Sequence, residues 1–328
     1  MSIAVVGGGS WGTALAAHLV RCGREVRLWL LETDVAAAIN ERHENPAYLP
    51  GIALPEALAA TTRMEEAVAG ATLAVVVVPS EFCRGVYRRL APLVPSGGLV
   101  VSATKGIEIE SLARMSEVAT QELPGCRLVV ISGPSFAAEV AREKPTVLVA
   151  ASAEIHAAEE VQRVLSSRTL RVYSSQDVVG VELGGALKNI IAIAAGIVDG
   201  LGLGHNATAA LITRGLAEIT RLAVAEGGRA ETLAGLAGLG DLVLTCTGDL
   251  SRNRRVGQAI ASGTPAAEAL AGGRMVAEGV RTTVAACAMA ARVGVEMPIA
   301  AQMRAVLHEG KAPRVAAEEL MLRSLKRE

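Results

Sequence analysis

Aromatic residues are scarce in this chain, making up 2% of its 328 residues. The apolar content is rich in alanine instead, which suits packed helices better than a β-sandwich. Cysteines are also few, and no two of them have the CxxC spacing of a zinc site. Their odd number and scatter argue against a disulfide framework and predict a reducing compartment, the cytoplasm. The positions are Cys22, Cys83, Cys126, Cys246 and Cys287.

Excess charge and apolar runs of membrane-spanning length are lacking as well. The formal net charge is -1 and the pI is about 6.6, so no basic field exists to bind nucleic acid or an anionic membrane. The most apolar stretch, Asn189–Val198, is too short to span a bilayer, and Lys188 and Asp199 flank it. The chain begins with an apolar run at Ile3–Val6 and no basic signal region. We therefore expect no membrane insertion and no secretory signal.

Short β-branched runs alternate with helical patterns in the first half of the chain. The runs have no polar alternation, which is typical of strands buried on both faces in a parallel sheet covered by helices. Intervening segments such as Gly12–Arg21 and Asp34–Arg42 are long enough for crossover helices. The predicted strands are Ile3–Val6, Val26–Trp29, Leu73–Val78, Leu99–Ala103, Val129–Ile131, Thr146–Val149 and Leu170–Tyr173.

A glycine motif, Gly7-Gly8-Gly9-Ser10-Trp11-Gly12, follows the first predicted strand and opens the first helix. In such a motif Gly7 permits a tight turn, Gly9 lets the backbone approach a pyrophosphate, and Gly12 lets helix and strand pack closely. The pattern predicts a dinucleotide site, and a Gly-rich turn without a ligand is the alternative. FAD would use the same fingerprint, but the chain has no recognisable flavin signature.

After Asp177 the strand runs end, and helical periodicity broken by Gly-rich turns continues to the C-terminus. We predict an α/β fold in two domains. Residues 1–178 form a Rossmann-type doubly wound sheet, and residues 179–328 form an all-α domain. Loops that follow parallel strands gather at one edge of such a sheet, where ligands bind. The loops concerned are Gly7–Gly9, Pro79–Ser80, Thr104–Gly106 and Ser132–Ser135.

Two of the five lysines in the chain are candidates for chemistry. Lys188 lies in the apolar helical stretch 182–191, where a cation is costly unless it is paired or used. Burial there would lower its pKa enough to exchange a proton with a substrate hydroxyl, and a lysine that reaches the surface is the alternative. Lys105 follows a predicted strand and should face the same crevice, unless it is an ordinary loop lysine.

A later segment combines an acid, hydroxyl groups and basic side chains. Asp241 and Thr245 lie in one apolar stretch, and Ser251-Arg252-Asn253 follows it. A surface helix with solvated arginines is one interpretation, and an anion-binding cluster is the other. Together with a dinucleotide site and a buried lysine, the cluster favours hydride transfer on a phosphorylated alcohol.

The sequence also resembles a known family, the bacterial-type NAD(P)-dependent sn-glycerol-3-phosphate dehydrogenases. The resemblance extends from Gly7 to about Met321, in order and at fitting intervals. The strings that carry it are 9–16 (GSWGTALA), 132–137 (SGPSFA), 184–189 (GGALKN), 212–216 (ITRGL), 238–242 (GLGDL), 251–253 (SRN) and 276–283 (VAEGVRTT).

The resemblance implies dihydroxyacetone phosphate and sn-glycerol 3-phosphate as substrates, in glycerophospholipid synthesis, and a cytoplasmic homodimer. It implies that Lys188 is the catalytic proton donor and acceptor, assisted by Lys105 and Asp241. Implied substrate contacts are Lys105, Gly133, Ser135, Lys188, Asn189, Asp241, Thr245, Ser251, Arg252 and Asn253. Implied cofactor contacts are Gly7, Gly9, Ser10, Trp11, Gly12, Tyr48, Lys105, Ala137, Arg252, Val276 and Glu278.

Cofactor choice depends on the end of the second predicted strand. Many members of the family have His or Arg there, whereas this chain has Leu30-Leu31-Glu32. Glu32 lies twenty residues after Gly12, the spacing at which an acid binds the 2′-hydroxyl of NAD. We therefore expect NAD to be preferred over NADP. Alternatively, Glu32 is a solvated helix start, and Arg27 or Arg42 serves NADP.

Two other functions stay open from the residues alone. One is a related β-hydroxyacid dehydrogenase or ketopantoate reductase, which also pairs a Rossmann domain with helices and a lysine. Those families lack the strings at 212–215 and 251–253. The other is a non-catalytic nucleotide sensor, which the presence of Lys188, Lys105 and Asp241 argues against.

Overall fold

A computed structural model describes residues 1–271 and 277–324 of the chain. Each predicted strand run coincides with an observed strand to within two residues at either end. The strands are β1 (Ser2–Val6), β2 (Glu25–Trp29), β3 (Glu44–Asn45), β4 (Leu49–Ala53), β5 (Ala59–Thr61), β6 (Leu73–Val76), β7 (Leu99–Ser102), β8 (Arg127–Ser132), β9 (Thr146–Ala151) and β10 (Leu170–Ser175). The helices of this part are α1 (Ser10–Arg21), α2 (Thr33–Arg42), α3 (Met64–Val68), α4 (Ser80–Leu90), α5 (Met115–Glu122), α6 (Ala137–Ala141) and α7 (Ile155–Leu165).

Within the described residues, one sheet contains the strands in the order β10-β9-β8-β7-β6-β1-β2-β5. The strands from β5 to β8 are parallel and follow the order of a doubly wound sheet, which confirms the predicted fold class. Strands β3 and β4 form a separate antiparallel pair. The sequence patterns do not predict β3, β4 or β5, because none of them is a run of β-branched residues.

The expectation of a wholly parallel sheet is wrong for β9 and β10. Strand β9 pairs antiparallel with β8, and β10 pairs parallel with β9. The only helix between β8 and β9 is α6, whose five residues span about 7.5 Å, whereas a six-residue strand spans about 20 Å. Helix α6 is thus too short to return the chain to the amino edge of the sheet, and β9 runs back from the carboxyl edge.

Alternate residues of β1 lie in two apolar cores, one on each face of the sheet. Ile3 and Val5 belong to the core beneath α1, whereas Ala4 and Val6 pack in the core that contains Tyr87 of α4. These four residues of β1 are completely buried. This double burial explains the apolar run without alternation, and it places β1 at the centre of the sheet.

Helices follow β10 throughout the rest of the described chain. They are α8 (Val178–Gly200), α9 (Gly204–Ala225), α10 (Ala230–Ala234), a π-helical turn (Leu236–Gly240), α11 (Asp241–Thr247), α12 (Arg252–Ala261), α13 (Ala266–Ala271), α14 (Glu278–Val293), α15 (Pro298–His308) and α16 (Pro313–Met321). Helix α8 is the centre of this part and packs against α9, α11, α12 and α14. A Cβ on Gly196 of α8 would lie 1.9 Å from the Arg254 carbonyl oxygen, so this helix crossing requires glycine.

Helix α8 is also long and apolar enough to cross a membrane by length and composition, with a mean hydropathy of 1.6 over its most apolar window. That window is 89% buried inside the chain's own fold. Such burial is typical of the core helix of a globular domain. The sequence predicts that charged residues interrupt the apolar stretch, and Lys188 lies in the middle of α8.

Candidate active site

The glycine motif forms a cradle at the carboxyl end of β1. Gly7 has a φ of +124°, and a Cβ there would lie 2.4 Å from the Val77 carbonyl oxygen. A Cβ on Gly12 would lie 1.8 Å from the Gly7 carbonyl oxygen. A Cβ on Gly9, by contrast, would meet no atom within 4 Å. The turn and the helix packing therefore exclude side chains, while open space in front of Gly9 and the α1 N-terminus fits a pyrophosphate.

A buried amide braces this cradle. Asn45 of β3 is completely buried, and its Nδ2 donates to the Gly8 carbonyl oxygen at 3.0 Å and to Thr13 Oγ1 at 2.8 Å. Thr13 Oγ1 in turn donates to the Gly8 carbonyl oxygen at 3.1 Å. The sequence patterns do not predict this role of Asn45, since nothing local connects it with Gly8, 37 residues earlier.

Three of the expected cofactor residues, Ser10, Tyr48 and Glu32, are joined by hydrogen bonds beside the cradle. Ser10 Oγ, at the start of α1, donates to the Tyr48 carbonyl oxygen at 2.6 Å. The Tyr48 hydroxyl donates to Glu32 Oε1. Trp11, which follows Ser10, is partly buried against the core beneath α1. Tyr48 therefore links the Glu32 carboxylate, at the end of β2, with the N-terminus of α1, which would face the phosphates.

The arginines considered for NADP are engaged elsewhere. Arg27 donates to Ser2 Oγ at 3.3 Å, which directs it towards the amino edge of the sheet. Arg42 forms an ion pair at 2.8 Å with Glu44. Arg63, which follows the neighbouring strand β5, pairs at 2.8 Å with a glutamate three residues later. The two arginines considered for NADP, Arg27 and Arg42, therefore contact partners other than Glu32.

Lys188, Lys105 and Asp241 converge although they come from three separate elements. Lys188 Nζ donates to Asp241 Oδ1 and, at 2.7 Å, to Thr245 Oγ1. Lys105 Nζ donates to Asp241 Oδ2 at 2.7 Å and to the Gly133 carbonyl oxygen at 3.2 Å. The side chain of Lys188 is 7% exposed and that of Lys105 is 20% exposed. Lys188 does not reach the surface, so the alternative of a surface lysine is wrong.

Burial lowers the pKa of Lys188 to about 7, because the ammonium group loses its hydration. The carboxylate of Asp241 opposes this shift, and the positive charge of Lys105 adds to it. An amine in this state gains and loses a proton near neutral pH, which is the property that general acid and base catalysis requires.

Two adjacent glycines of α8 explain how Lys188 reaches Asp241. A Cβ on Gly184 would lie 2.6 Å from the Ala237 carbonyl oxygen in the π-helical turn, which leads into Asp241. A Cβ on Gly185 would lie 2.3 Å from Ser132 Oγ at the end of β8. Lys188 is four residues after Gly184 and so shares its face of α8. The close approach therefore brings the amine against the start of α11.

Gly133 and Ser135 form the loop after β8. Gly133 has a φ of +137°, and a Cβ there would lie 3.0 Å from the Val147 carbonyl oxygen. Its carbonyl oxygen accepts from Ser135 Oγ at 2.9 Å as well as from Lys105. The loop therefore lies beside the lysine cluster, at the carboxyl edge of the sheet.

The start of α12 presents the anion-binding candidates. Ser251 Oγ caps this helix by accepting from the Arg254 amide at 3.2 Å. Asn253 Nδ2 donates to Asn189 Oδ1 at 3.0 Å, and Asn253 Oδ1 accepts from the Gly279 amide at 3.2 Å. Arg252 is exposed, and neighbouring protein atoms lower the pKa of its guanidinium by reducing its hydration. Among the described residues, its guanidinium has no hydrogen-bond or ion-pair partner.

Glu278 connects the helical part with the sheet. Its carboxylate accepts from the Ser80 amide at 2.9 Å and from Ser80 Oγ at 2.7 Å, at the N-terminus of α4. Burial raises the pKa of Glu278, and these bonds oppose the rise. Ala137 begins α6 and packs partly buried against the core beneath α1, while Val276 lies outside the described residues. Ser80 is absent from the expected contacts, although it follows β6 in one of the predicted edge loops.

Comparison with known proteins matches both halves of the chain. The N-terminal model of NAD-dependent glycerol-3-phosphate dehydrogenase matches residues 2–158, and the C-terminal model matches residues 177–318. A glycerol-3-phosphate dehydrogenase (NAD(P)+) of Nitratidesulfovibrio vulgaris is 54% identical over 330 positions, covering 100% of each chain. The crystal structure of glycerol-3-phosphate dehydrogenase from Coxiella burnetii has a TM-score of 0.95 and 43% identity, covering 98% of this chain and 99% of that one.

A ketopantoate reductase family structure from Ralstonia eutropha also covers 98% of this chain and 100% of its own. Its TM-score is only 0.60 and its identity 17%, so that likeness shows the fold alone. Family models over both halves and a relative 54% identical along the whole chain are much stronger matches. This chain belongs to the NAD-dependent glycerol-3-phosphate dehydrogenase family.

Proposed function

We propose that this chain interconverts dihydroxyacetone phosphate and sn-glycerol 3-phosphate, with Lys188 as the proton donor and acceptor. The observation that carries this proposal is the buried amine of Lys188, held against Asp241 with a pKa of about 7. It lies at the carboxyl edge of a doubly wound sheet, where a nicotinamide cofactor would meet a substrate. Membership of the glycerol-3-phosphate dehydrogenase family and the lysine cluster around Asp241 both support this reaction.

The oxygen on C2 of dihydroxyacetone phosphate becomes negative during reduction and needs a proton. Protonated Lys188 donates that proton, and Lys105 adds positive charge next to the developing oxyanion. The reduced nicotinamide, when bound, supplies the hydride that C2 receives. In the oxidative direction, neutral Lys188 accepts the proton of the sn-glycerol 3-phosphate hydroxyl. Asp241 holds both amines in place throughout.

The substrate phosphate binds at the start of α12. Arg252 has an exposed guanidinium without a partner among the described residues, which is what a phosphate dianion requires. Ser251 and Asn253 lie on either side of it. The remaining substrate contacts in this proposal are Gly133, Ser135, Asn189 and Thr245.

The glycine cradle would hold the pyrophosphate of the cofactor, and Lys105, Ala137 and Glu278 would contact its nicotinamide end. The adenosine ribose binds beside Glu32 and Tyr48. NADH is preferred, because the Glu32 carboxylate accepts a hydrogen bond from a free 2′-hydroxyl and repels a 2′-phosphate. The alternative cations Arg27 and Arg42 are engaged elsewhere, which supports this choice.

The chain in this proposal has a cofactor domain at 1–178 and a substrate domain at 179–328, and it works in the cytoplasm as a homodimer. The domains meet at the catalytic cluster, since Lys105 and Gly133 come from one and Lys188 and Asp241 from the other. Sedimentation at micromolar concentration tests the dimer, and a single monomeric species would contradict it.

Steady-state oxidation of NADH and of NADPH by dihydroxyacetone phosphate tests the reaction and the cofactor choice together. We expect turnover with both and a kcat/KM in favour of NADH by about 1–3 kcal/mol. Ketopantoate and β-keto acids serve as the comparison substrates. Faster turnover of either one would replace the proposed reaction, and no turnover of any would favour a nucleotide sensor. Equal or better efficiency with NADPH would refute the preference, whereas Glu32→Arg should shift it towards NADPH.

A further inference from the structure

Glu32 occupies the N-cap position of α2, yet its carboxylate does not cap that helix. It accepts a hydrogen bond from the hydroxyl of Tyr48 instead, sixteen residues away. The side chain is therefore directed away from its own helix and towards the glycine cradle.

The backbone of Tyr48 is fixed on both sides. Its amide donates to Asn45 Oδ1 at 3.0 Å, and its carbonyl oxygen accepts from Ser10 Oγ at 2.6 Å. Asn45 also donates to the Gly8 carbonyl oxygen. Tyr48 thereby connects the loop that approaches the pyrophosphate with the carboxylate expected at the ribose.

The contact with the Tyr48 hydroxyl uses Oε1 of the Glu32 carboxylate. A hydroxyl of the ribose can donate to the same carboxylate, because a carboxylate accepts several hydrogen bonds. Holding a glutamate in one rotamer also removes part of the entropy cost of binding.

We propose that Tyr48 is a positioning residue that holds the Glu32 carboxylate for a ribose 2′-hydroxyl and thereby sets the discrimination between NADH and NADPH. This rests on the proposed nicotinamide function of the cradle. Without the tyrosine hydroxyl, the Glu32 side chain rotates towards solvent, where water screens the repulsion between its carboxylate and a 2′-phosphate. Its geometry for the 2′-hydroxyl is lost at the same time.

The test is the ratio of the dissociation constants of NADPH and NADH, measured by coenzyme fluorescence without any substrate. Tyr48→Phe should lower this ratio by about threefold to tenfold, the range of one hydrogen bond to a charged group. The matched control is Tyr173→Phe, since Tyr173 lies exposed on β10, and its ratio should equal that of the unmodified protein. Glu32→Asp keeps the charge but shortens the side chain, so it should lower the ratio in the same way without altering Tyr48.

A double-variant cycle distinguishes positioning from direct contact. In a Glu32→Ala background, Tyr48→Phe should change the ratio by less than twofold, because the residue it positions is gone. An equal effect in both backgrounds would mean that Tyr48 acts on the coenzyme independently of Glu32, and this would overturn the proposal. An unchanged ratio in Tyr48→Phe alone would overturn it as well, while leaving the NADH preference intact. A ratio in favour of NADPH in the unmodified protein would reject the preference and the positioning role together.

Discussion

The two ends of the proposed cleft differ in composition: the cofactor end is formed by backbone atoms and the catalytic end by charged side chains. The cofactor cradle consists of backbone: glycines, an open space at Gly9 and a helix N-terminus. The catalytic cluster consists of charged side chains, with Lys188 and Asp241 almost completely buried. Backbone geometry does not change with pH, whereas buried charges cost solvation and respond to it. We therefore expect the two ends to fail in different ways when altered.

The largest effect should come from the charged end. Lys188→Ala removes the positioned acid and base, so turnover of dihydroxyacetone phosphate should fall by at least about a hundredfold. The dissociation constant of NADH should hardly change, because the cofactor binds mainly to the other domain. Lys144→Ala is the matched control, since Lys144 is exposed in the loop before β9. Retention of more than a tenth of the turnover would exclude Lys188 from catalysis.

Glycine substitutions at the backbone end should separate stability from binding. In Gly12→Ala, the new Cβ would lie 1.8 Å from the Gly7 carbonyl oxygen, which backbone atoms can avoid only by shifting. We expect a loss of about 3 kcal/mol in the free energy of unfolding, measured with urea in the absence of cofactor. Gly9→Ala meets open space at an ordinary φ of -68°, so its stability should change by less than about 0.5 kcal/mol.

The same Gly9→Ala variant should nevertheless bind NADH about tenfold more weakly, because the methyl group would occupy the approach of the pyrophosphate. Fluorescence titration measures this directly. Wild-type affinity for NADH in Gly9→Ala would place the pyrophosphate elsewhere. Equal losses of stability in both variants would contradict the assignment of helix packing to Gly12 and of pyrophosphate access to Gly9.

A smaller effect on activity is expected from a substitution at the proposed phosphate site. Arg252→Ala deletes a charge-assisted contact worth about 1.5–3 kcal/mol, so the KM for dihydroxyacetone phosphate should rise about tenfold or more. Turnover at saturation should fall much less, since the lysine cluster is intact. Arg255→Ala, an exposed arginine on the same helix, is the control. If KM stays within a factor of two, the phosphate binds away from α12.

The difference between the two ends also explains what could be predicted from sequence. The cradle is specified by six consecutive residues, since a turn, a close approach and a helix start are local constraints. The catalytic cluster unites Lys105 with a partner 136 positions later, and only the resemblance to a family indicates such a pairing. The roles that the resemblance implies for these residues stay predictions.

Other features had no local signal at all. Asn45 is one amide in a two-residue strand, and its contact with the cradle depends on how β3 folds back. The reversed direction of β9 goes with the short helix that precedes it rather than with the strand's own apolar pattern. The Tyr48–Glu32 contact likewise joins two loops whose separation is set by tertiary packing.

The last prediction uses pH, to which only the charged end should respond. Burial holds the pKa of Lys188 at about 7, well below the ordinary value of 10.5, so the amine is mostly neutral above pH 7 and mostly protonated below it. Oxidation of sn-glycerol 3-phosphate needs the neutral amine, and its kcat/KM should rise with pH to a plateau above 7, with about one tenth of the plateau at pH 6. Reduction of dihydroxyacetone phosphate needs the protonated amine, and its kcat/KM should fall above pH 7.

The decisive result is that kcat/KM rises with pH for oxidation and falls with pH for reduction. The substrate phosphate has its own pKa near 6, but its ionisation affects binding in the same sense in both directions. Asp241→Asn removes the negative charge that raises the pKa of Lys188, so both limbs should move to lower pH, although activity falls. The dissociation constant of NADH should stay level from pH 6 to 8, as a cradle of backbone atoms requires. Slopes of the same sign in both directions would show that a group other than Lys188 transfers the proton.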